Sequence, residues 1–211
     1  MSALLDFLYP AKCVVCEVPP APLCLDCQLQ AKPARIAEAP FPIDCAIDYS
    51  GAAEAVIRSF KDSKLVSLAP NLAELLDVAV SHAAPADYFV VPPRNRTNYR
   101  NRGFHPIRFI ADRSQRLSRL EPLEIRATKE MADQRRLGKA ERLENLSGAF
   151  EMGPASGRVL LVDDVLTTGA TMAEMARAAD AAGLEVVGSC AIAYSSAFPV
   201  LTPAQKGVVC R

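Results

Sequence analysis

Residues 159–172 read VLLVDDVLTTGATM. Apolar residues lead into two adjacent acids, Asp163 and Asp164. Val165 and Leu166 follow, then the turn Thr167, Thr168, Gly169, Ala170, Thr171. Small residues at a strand-to-helix turn present consecutive backbone N–H groups at a helix N-terminus, where the peptide dipoles favour an anion. The threonine hydroxyls add donors, and Gly169 lets the backbone come close. Carboxylates aimed at the same anion would repel it. Set apart from it, they can accept from vicinal hydroxyls or help to place a divalent cation. A phosphate at one end, a diol in the middle and a metal-bound charge beyond describe 5-phosphoribosyl diphosphate (PRPP) with magnesium. Two other structures could begin this way and fit less well. A receiver domain, with its acidic pair after the first strand, needs far more chain than follows Asp164. An ATP-binding P-loop needs G-x-x-x-x-G-K-[ST], and no lysine follows Gly169 until Lys206.

Two further segments suit the same ligand. In VVPPRNRTNYRNRGFHPIRFIA an apolar strand runs into Arg94, Arg96, Arg100, Arg102 and Arg108. Guanidinium groups stay charged and grip phosphates bidentately, so this loop, Arg94 and Arg102 above all, is a candidate clamp for a diphosphate leaving group. A solvated basic turn or a nucleic-acid patch is the competing reading. Residues 128–149 are highly charged and carry little apolar periodicity. Phosphoribosyl transfer passes through an oxocarbenium-like state that water would intercept, so a closing segment is expected. Gln134, Arg135, Lys139, Arg142 and Asn145 are its candidates to reach inward.

The other concentration of chemistry is Cys13-x-x-Cys16 and Cys24-x-x-Cys27, with seven residues between the pairs. Two such knuckles bring four thiolates into a tetrahedral shell suited to structural zinc. So short a segment cannot bury a core of its own, so metal binding would supply its folding energy. Redox CxxC motifs are the alternative, but nothing nearby reads as the strand and helix that a thioredoxin-like site requires. Cys45 and Cys190 fall in apolar strands and read as small core residues.

The elements that must hold these groups follow from periodicity. DCAIDY, DYFVVP, LEIR, VLLVD and EVVGSCAIAYS read as strands. GAAEAVIRSFK, SLAPNLAELLDVAVSHA, a segment from about Ile107, and GATMAEMARAADAAG read as helices, with Pro70 in the first turn of the second. Apolar strands alternating with amphipathic helices predict an α/β fold, a mostly parallel sheet flanked by helices. The expected organisation is a zinc ribbon over 1–33, a linker over 34–43 (the proline-punctuated PARIAEAPFP) and the α/β domain over 44–211. The 211 residues are half hydrophobic, enough for one sizeable core. Lysine plus arginine and aspartate plus glutamate balance at 24 each, so net charge selects no partner. No run approaches the roughly 20 apolar residues of a membrane span, and the N-terminus lacks the pattern of a targeting signal. A cytoplasmic protein with reduced cysteines is expected.

Residues 159–172 closely resemble the PRPP-binding motif of type I phosphoribosyltransferases. With LLDFLYPAKCVVC, LCLDC, SFKDSK, VPPRNRTNYRNRGF and DQRRLGKAERLENLSGAF, the chain is similar over nearly its whole length to the ComF family. That resemblance implies a zinc ribbon joined to a type I phosphoribosyltransferase fold and an association with bacterial competence for DNA uptake. The family continues its R-G-F with Asn-Gln, where this chain has His105 and Pro106. It has Lys-Tyr where this chain has Lys61 and Asp62.

Two functions are compatible with these residues. In the first, PRPP binds with magnesium, the acids contact the ribose hydroxyls, the arginines hold the diphosphate, and a nitrogen acceptor attacks the anomeric carbon. No residue pattern identifies that acceptor. In the second, the fold is a non-catalytic platform for natural transformation, and its arginines, with Tyr99 and Phe104 interleaved, contact single-stranded DNA or a competence helicase.

Overall fold

The structure, a computed structural model, describes residues 11–36, 43–129 and 146–195. The strands are β1 (Ala34–Ile36), β2 (Ile43–Asp48), β3 (Tyr88–Val90), β4 (Glu121–Pro122), β5 (Ile125–Ala127), β6 (Phe150–Met152), β7 (Gly157–Leu166) and β8 (Leu184–Tyr194). The α-helices are α1 (Gly51–Asp62), α2 (Ala69–Val80), α3 (Arg96–Arg102), α4 (Pro106–Ala111) and α5 (Ala170–Ala182). Six strands form one sheet in the order β1-β2-β8-β7-β3-β4. Every pairing in it is parallel except β1 with β2. The expected α/β class, a mostly parallel sheet flanked by helices, is what forms.

The central strands are apolar without alternation because both faces are covered. Along β7, Leu160 and Val162 join a core with α1, α2 and α4, whereas Val159 and Leu161 join a second core with α5 and the β5-β6 pair. Helix α1 buries Ala53, Val56, Ile57 and Phe60, one stripe at helical spacing, and its polar C-terminal residues Lys61 and Asp62 remain outside that stripe. Among the described residues, no helix is long and apolar enough to cross a membrane.

Four local expectations are revised. Residues 34–36 lie in the segment read as a linker, yet they form the antiparallel edge strand β1. Arg35 stands directly opposite Asp44 and grips it bidentately, at 2.9 Å from Nε and 2.7 Å from Nη2. Of the rest of that segment, 37–42 lie outside the described residues and Ile43 begins β2. The arginine-rich loop contains a helix, α3. Asn95 caps it by accepting from the Asn98 N–H at 3.0 Å, and Gly103 ends it at φ +82°, a conformation glycine adopts without penalty. The helix expected from Ile107 onward is only α4. Asp77 of α2 takes over the chain beyond it, accepting from Ser114 Oγ and from the N–H groups of Gln115 and Arg116. LEIR does form a strand, but β5 pairs with β6 in a separate two-stranded sheet.

That small sheet is tied to α5 by a buried charge. Glu174 is 5% exposed and accepts from Phe150 N–H at 3.0 Å and from Arg177 Nε and Nη2 at 2.9 and 2.7 Å. Burial opposes its charged form, but Arg177 and the Phe150 N–H outweigh it and hold the carboxyl below its usual value. Glu174→Ala leaves the buried Phe150 N–H without its acceptor and leaves Arg177 only the Phe150 carbonyl, at 2.6 Å. It is expected to cost about 2–3 kcal/mol, read as a lower urea midpoint at unchanged slope.

Candidate functional site

The acidic pair sits inside β7 rather than beyond it. Val165 and Leu166 are still paired with Ala193 and Tyr194 of β8. Only after Leu166 does the chain turn, with Gly169 at φ +76° preceding the first residue of α5. The Gly169 carbonyl accepts the Ala173 N–H at 2.9 Å, and Thr168 Oγ1 accepts from the Ala170 N–H at 3.4 Å. Leu166 and Ala170 are buried, Val165, Thr168 and Thr171 are half-buried, and Thr167 is exposed. The expected strand-turn-helix corner is therefore present, with its hydroxyls around the N-terminus of α5.

Asp163 and Asp164 line an open cleft whose opposite wall comes from the end of β3 and from α3. Pro92, Pro93, Arg94 and Asn95 contribute the first part of that wall, Asn98, Tyr99 and Arg102 the second, and Phe104, His105, Pro106 and Ile107 the remainder. Of the five arginines, Arg94 and Arg102 are the ones in this lining. Arg108 pairs instead with Asp112 at 2.7 Å and lies over the Phe89 ring. The turn 167–171 is not part of the cleft wall. It follows Asp163 and Asp164 along the chain after Val165 and Leu166. Gln134, Arg135, Lys139, Arg142 and Asn145 lie outside the described residues. The chain on either side of that segment is joined by hydrogen bonds, from Thr128 N–H to Ala149 O at 2.8 Å and from Lys129 Nζ to Ser147 O at 2.9 Å.

Two residues given no role in the site by the sequence complete the electrostatics. Lys61 Nζ lies 2.7 Å from Asp164 Oδ1, and Arg102 Nη2 lies 3.0 Å from Asp62 Oδ1. Their position against Asp164 and Arg102 was not legible in the sequence. Arg94 stacks over the Tyr99 ring at 5.0 Å from its centroid. His105 is half-buried. Burial pulls its imidazole below the ordinary value, with Asp164 working against this and Arg108 and Arg94 adding to it.

Burial, reinforced by the charge of Asp164, pushes the Asp163 carboxyl up to about 8, against the Asp164 N–H that Asp163 Oδ1 accepts at 2.8 Å. Over the interval from the ordinary carboxylate value to about 8, the folded protein holds a proton that the unfolded chain has released. Stability therefore falls as pH rises through that window. Asp163→Asn keeps the acceptor and removes the charge. The variant is expected to be more stable than the parent at pH 8.5 by about 2 kcal/mol, with the gap narrowing toward pH 5, in melts recorded across that range.

The cysteines meet as expected. The Sγ atoms of Cys13, Cys16, Cys24 and Cys27 all lie within 4.8 Å of one another, and those of Cys16 and Cys24 are 3.7 Å apart. Zinc bound by sulfur at about 2.3 Å in a tetrahedron separates its ligands by about 3.8 Å, so the donor set fits that ion. N–H groups of Cys16 and Cys24 pull the Cys13 thiol down to about 6, while hydrogen bonds with the Cys24 and Cys16 thiols push Cys27 up to about 12. Val14, Val15, Leu23, Leu29 and Ala31 pack this segment onto the core that holds α1 and α2.

A family model for the phosphoribosyl transferase domain matches residues 126–201. Comparison with curated proteins finds no match. Among solved structures, the chain is similar to UMP synthase of Leishmania donovani at 18% identity and a TM-score of 0.39, over 65% of this chain and 24% of that one. It thus spans about a quarter of that protein's length. It is similar to adenine phosphoribosyltransferase of Thermoanaerobacter pseudethanolicus at 13% identity and a TM-score of 0.39, over 80% of this chain and 98% of that one. It is also similar to the Saccharomyces cerevisiae adenine phosphoribosyltransferase solved with an imino-altritol bisphosphate and adenine, at 15% identity and a TM-score of 0.37, over 77% of this chain and 83% of that one.

Proposed function

We propose that this chain binds PRPP with magnesium and transfers its phosphoribosyl group to a nitrogen acceptor, releasing diphosphate. One observation carries the reading. The adjacent carboxylates Asp163 and Asp164 lead directly into a glycine-containing turn at the N-terminus of α5 and face Arg94 and Arg102 across one cleft. The family-model match over 126–201 includes the acids and the turn and supports it.

In this reading the N–H groups and hydroxyls of 167–171 hold the 5-phosphate. Asp163 and Asp164 orient the ribose through its hydroxyls, directly or through water on the metal. Magnesium, when bound, neutralises charge developing on the diphosphate. Arg94 and Arg102 hold that diphosphate. The acceptor nitrogen forms its bond to the anomeric carbon as the carbon–oxygen bond to diphosphate breaks. Diphosphate departs with the electron pair, and the acceptor gives up a proton. Catalysis is mostly positioning and charge stabilisation. The cysteine segment is a zinc ribbon stabilising the N-terminal part, residues 1–33, ahead of the phosphoribosyltransferase-like unit. A role in competence is what the resemblance to the ComF family implies, and a cytoplasmic setting is the reading of a chain without the pattern of a targeting signal or membrane span.

Calorimetry with Mg-PRPP and with ribose 5-phosphate tests the site, and diphosphate release across a panel of nucleobases and amines tests the reaction. Absence of heat from both ligands would remove the proposal.

A second reading has one observation of its own. Tyr99 is 37% exposed and lies against Arg94 at the rim of the cleft, an aromatic face with a cation beside it. This suits stacking of a single-stranded nucleic acid base. Salt-sensitive DNA binding that survives Asp164→Asn but is lost in Arg94→Ala would favour this accessory role, with single-stranded DNA or a helicase as partner.

A further inference from the structure

Lys61 and Asp62 are consecutive, at the C-terminal end of α1, and each is paired with an opposite charge of the cleft. Lys61 Nζ and Asp164 Oδ1 are 2.7 Å apart, with side chains 20% and 16% exposed. Arg102 Nη2 and Asp62 Oδ1 are 3.0 Å apart, with side chains 15% and 44% exposed. The partners they meet, Asp164 and Arg102, both line the one cleft. The packing of α1 requires neither residue, since its buried stripe is Ala53, Val56, Ile57 and Phe60. The end of one helix thus brings one cation and one anion to a site that otherwise supplies a carboxylate and a guanidinium.

We infer that Lys61 and Asp62 form a charge latch on the diphosphate subsite, with Lys61 a diphosphate ligand and Asp62 a competitor that weakens binding. This rests on the reading of the cleft as a PRPP site. In the ligand-free protein all four charges are neutralised in pairs. A diphosphate bears more negative charge than either carboxylate and offers several oxygens, so it draws the Lys61 ammonium and the Arg102 guanidinium onto itself. Asp164 is released at that moment, toward the ribose hydroxyls. The latch also keeps the two cations neutralised until the ligand arrives. It is weak enough to open, because breaking an ion pair as exposed as Asp62 with Arg102 costs a ligand only about two- to five-fold in affinity. An aspartate at position 62 therefore sets the affinity without touching the ligand.

The test is calorimetry on the full chain with two probes, magnesium with inorganic diphosphate, and ribose 5-phosphate. Asp62→Asn is expected to tighten diphosphate binding about three- to five-fold and leave ribose 5-phosphate binding unchanged, with no loss in thermal melts. Lys61→Met is expected to weaken diphosphate binding at least about ten-fold, and Lys61→Arg to restore most of it. A diphosphate affinity in Asp62→Asn that is unchanged or weaker, in a parent that binds ribose 5-phosphate, overturns the latch and leaves the PRPP site standing. So does full affinity in Lys61→Met. A parent that binds neither probe removes the site and the latch together.

Discussion

Asp164→Asn is expected to reduce diphosphate release from Mg-PRPP by about a hundred- to a thousand-fold, with any acceptor that the nucleobase and amine panel identifies. The exchange is nearly isosteric, and Asp164 is not a core residue; its side chain is 16% exposed at the cleft wall. What changes is charge. The variant can still meet a ribose hydroxyl, but it no longer offers an anion to a metal-bound water or a counter-charge to Lys61. Its loss also relieves Asp163, whose raised carboxyl owes part of its shift to Asp164. The variant should therefore melt no lower than the parent while failing in turnover. Ribose 5-phosphate calorimetry separates the causes. A loss of affinity matching the loss of rate assigns Asp164 to ribose binding in the ground state. Retained affinity with lost rate assigns it to the transition state. Turnover close to that of the parent would make the acidic pair a structural feature of β7 and nothing more.

The corner that carries this prediction was legible in sequence because it is local. An apolar run buried on both faces, a glycine at positive φ and a small-residue helix start all fall within residues 159–172. The four cysteines were legible for the same reason, two tight knuckles with few residues between them. What the sequence concealed is non-local or lacks apolar contrast. Helix α3, RTNYRNR, buries none of its residues, so no hydrophobic period marks it, and only Asn95 and Gly103 at its ends betray it. Strand β1 depends on the pairing of Arg35 with Asp44, which composition cannot supply. Nothing in LEIR says that β5 leaves the main sheet to pair with β6 across the intervening segment. Within the site, Lys61 and Asp62 had no motif to announce an association with Asp164 and Arg102. They arrive there because the buried stripe of α1 fixes which way its last turn faces.

The second large effect concerns the cysteines. Removing zinc with a strong chelator, or introducing Cys13→Ala, is expected to unfold the N-terminal segment and lower the melting temperature of the whole chain. Structural zinc contributes about 10–16 kcal/mol of apparent binding free energy, far more than so short a segment can gain by burial. Its side chains show the dependence. Val18 and Leu25 are 56% and 82% exposed, and among the segment's described residues, 11–33, only Cys13 is buried, at 1%. Its described residues Val14, Val15, Leu23, Leu29 and Ala31 pack on the main core, so its loss uncovers part of the surface over α1 and α2. Zinc takes thiolates, and Cys27 is held as a thiol up to about 12 without metal, so binding must expel protons. Affinity should therefore rise with pH, and acid should release the ion. Elemental analysis of the purified chain should give one zinc per protein, falling toward none in Cys13→Ala, with the loss of zinc and the drop in melting temperature occurring together. A chelated protein that keeps its parent melting curve would mean that the four sulfurs hold their geometry by packing alone, and would overturn the assignment.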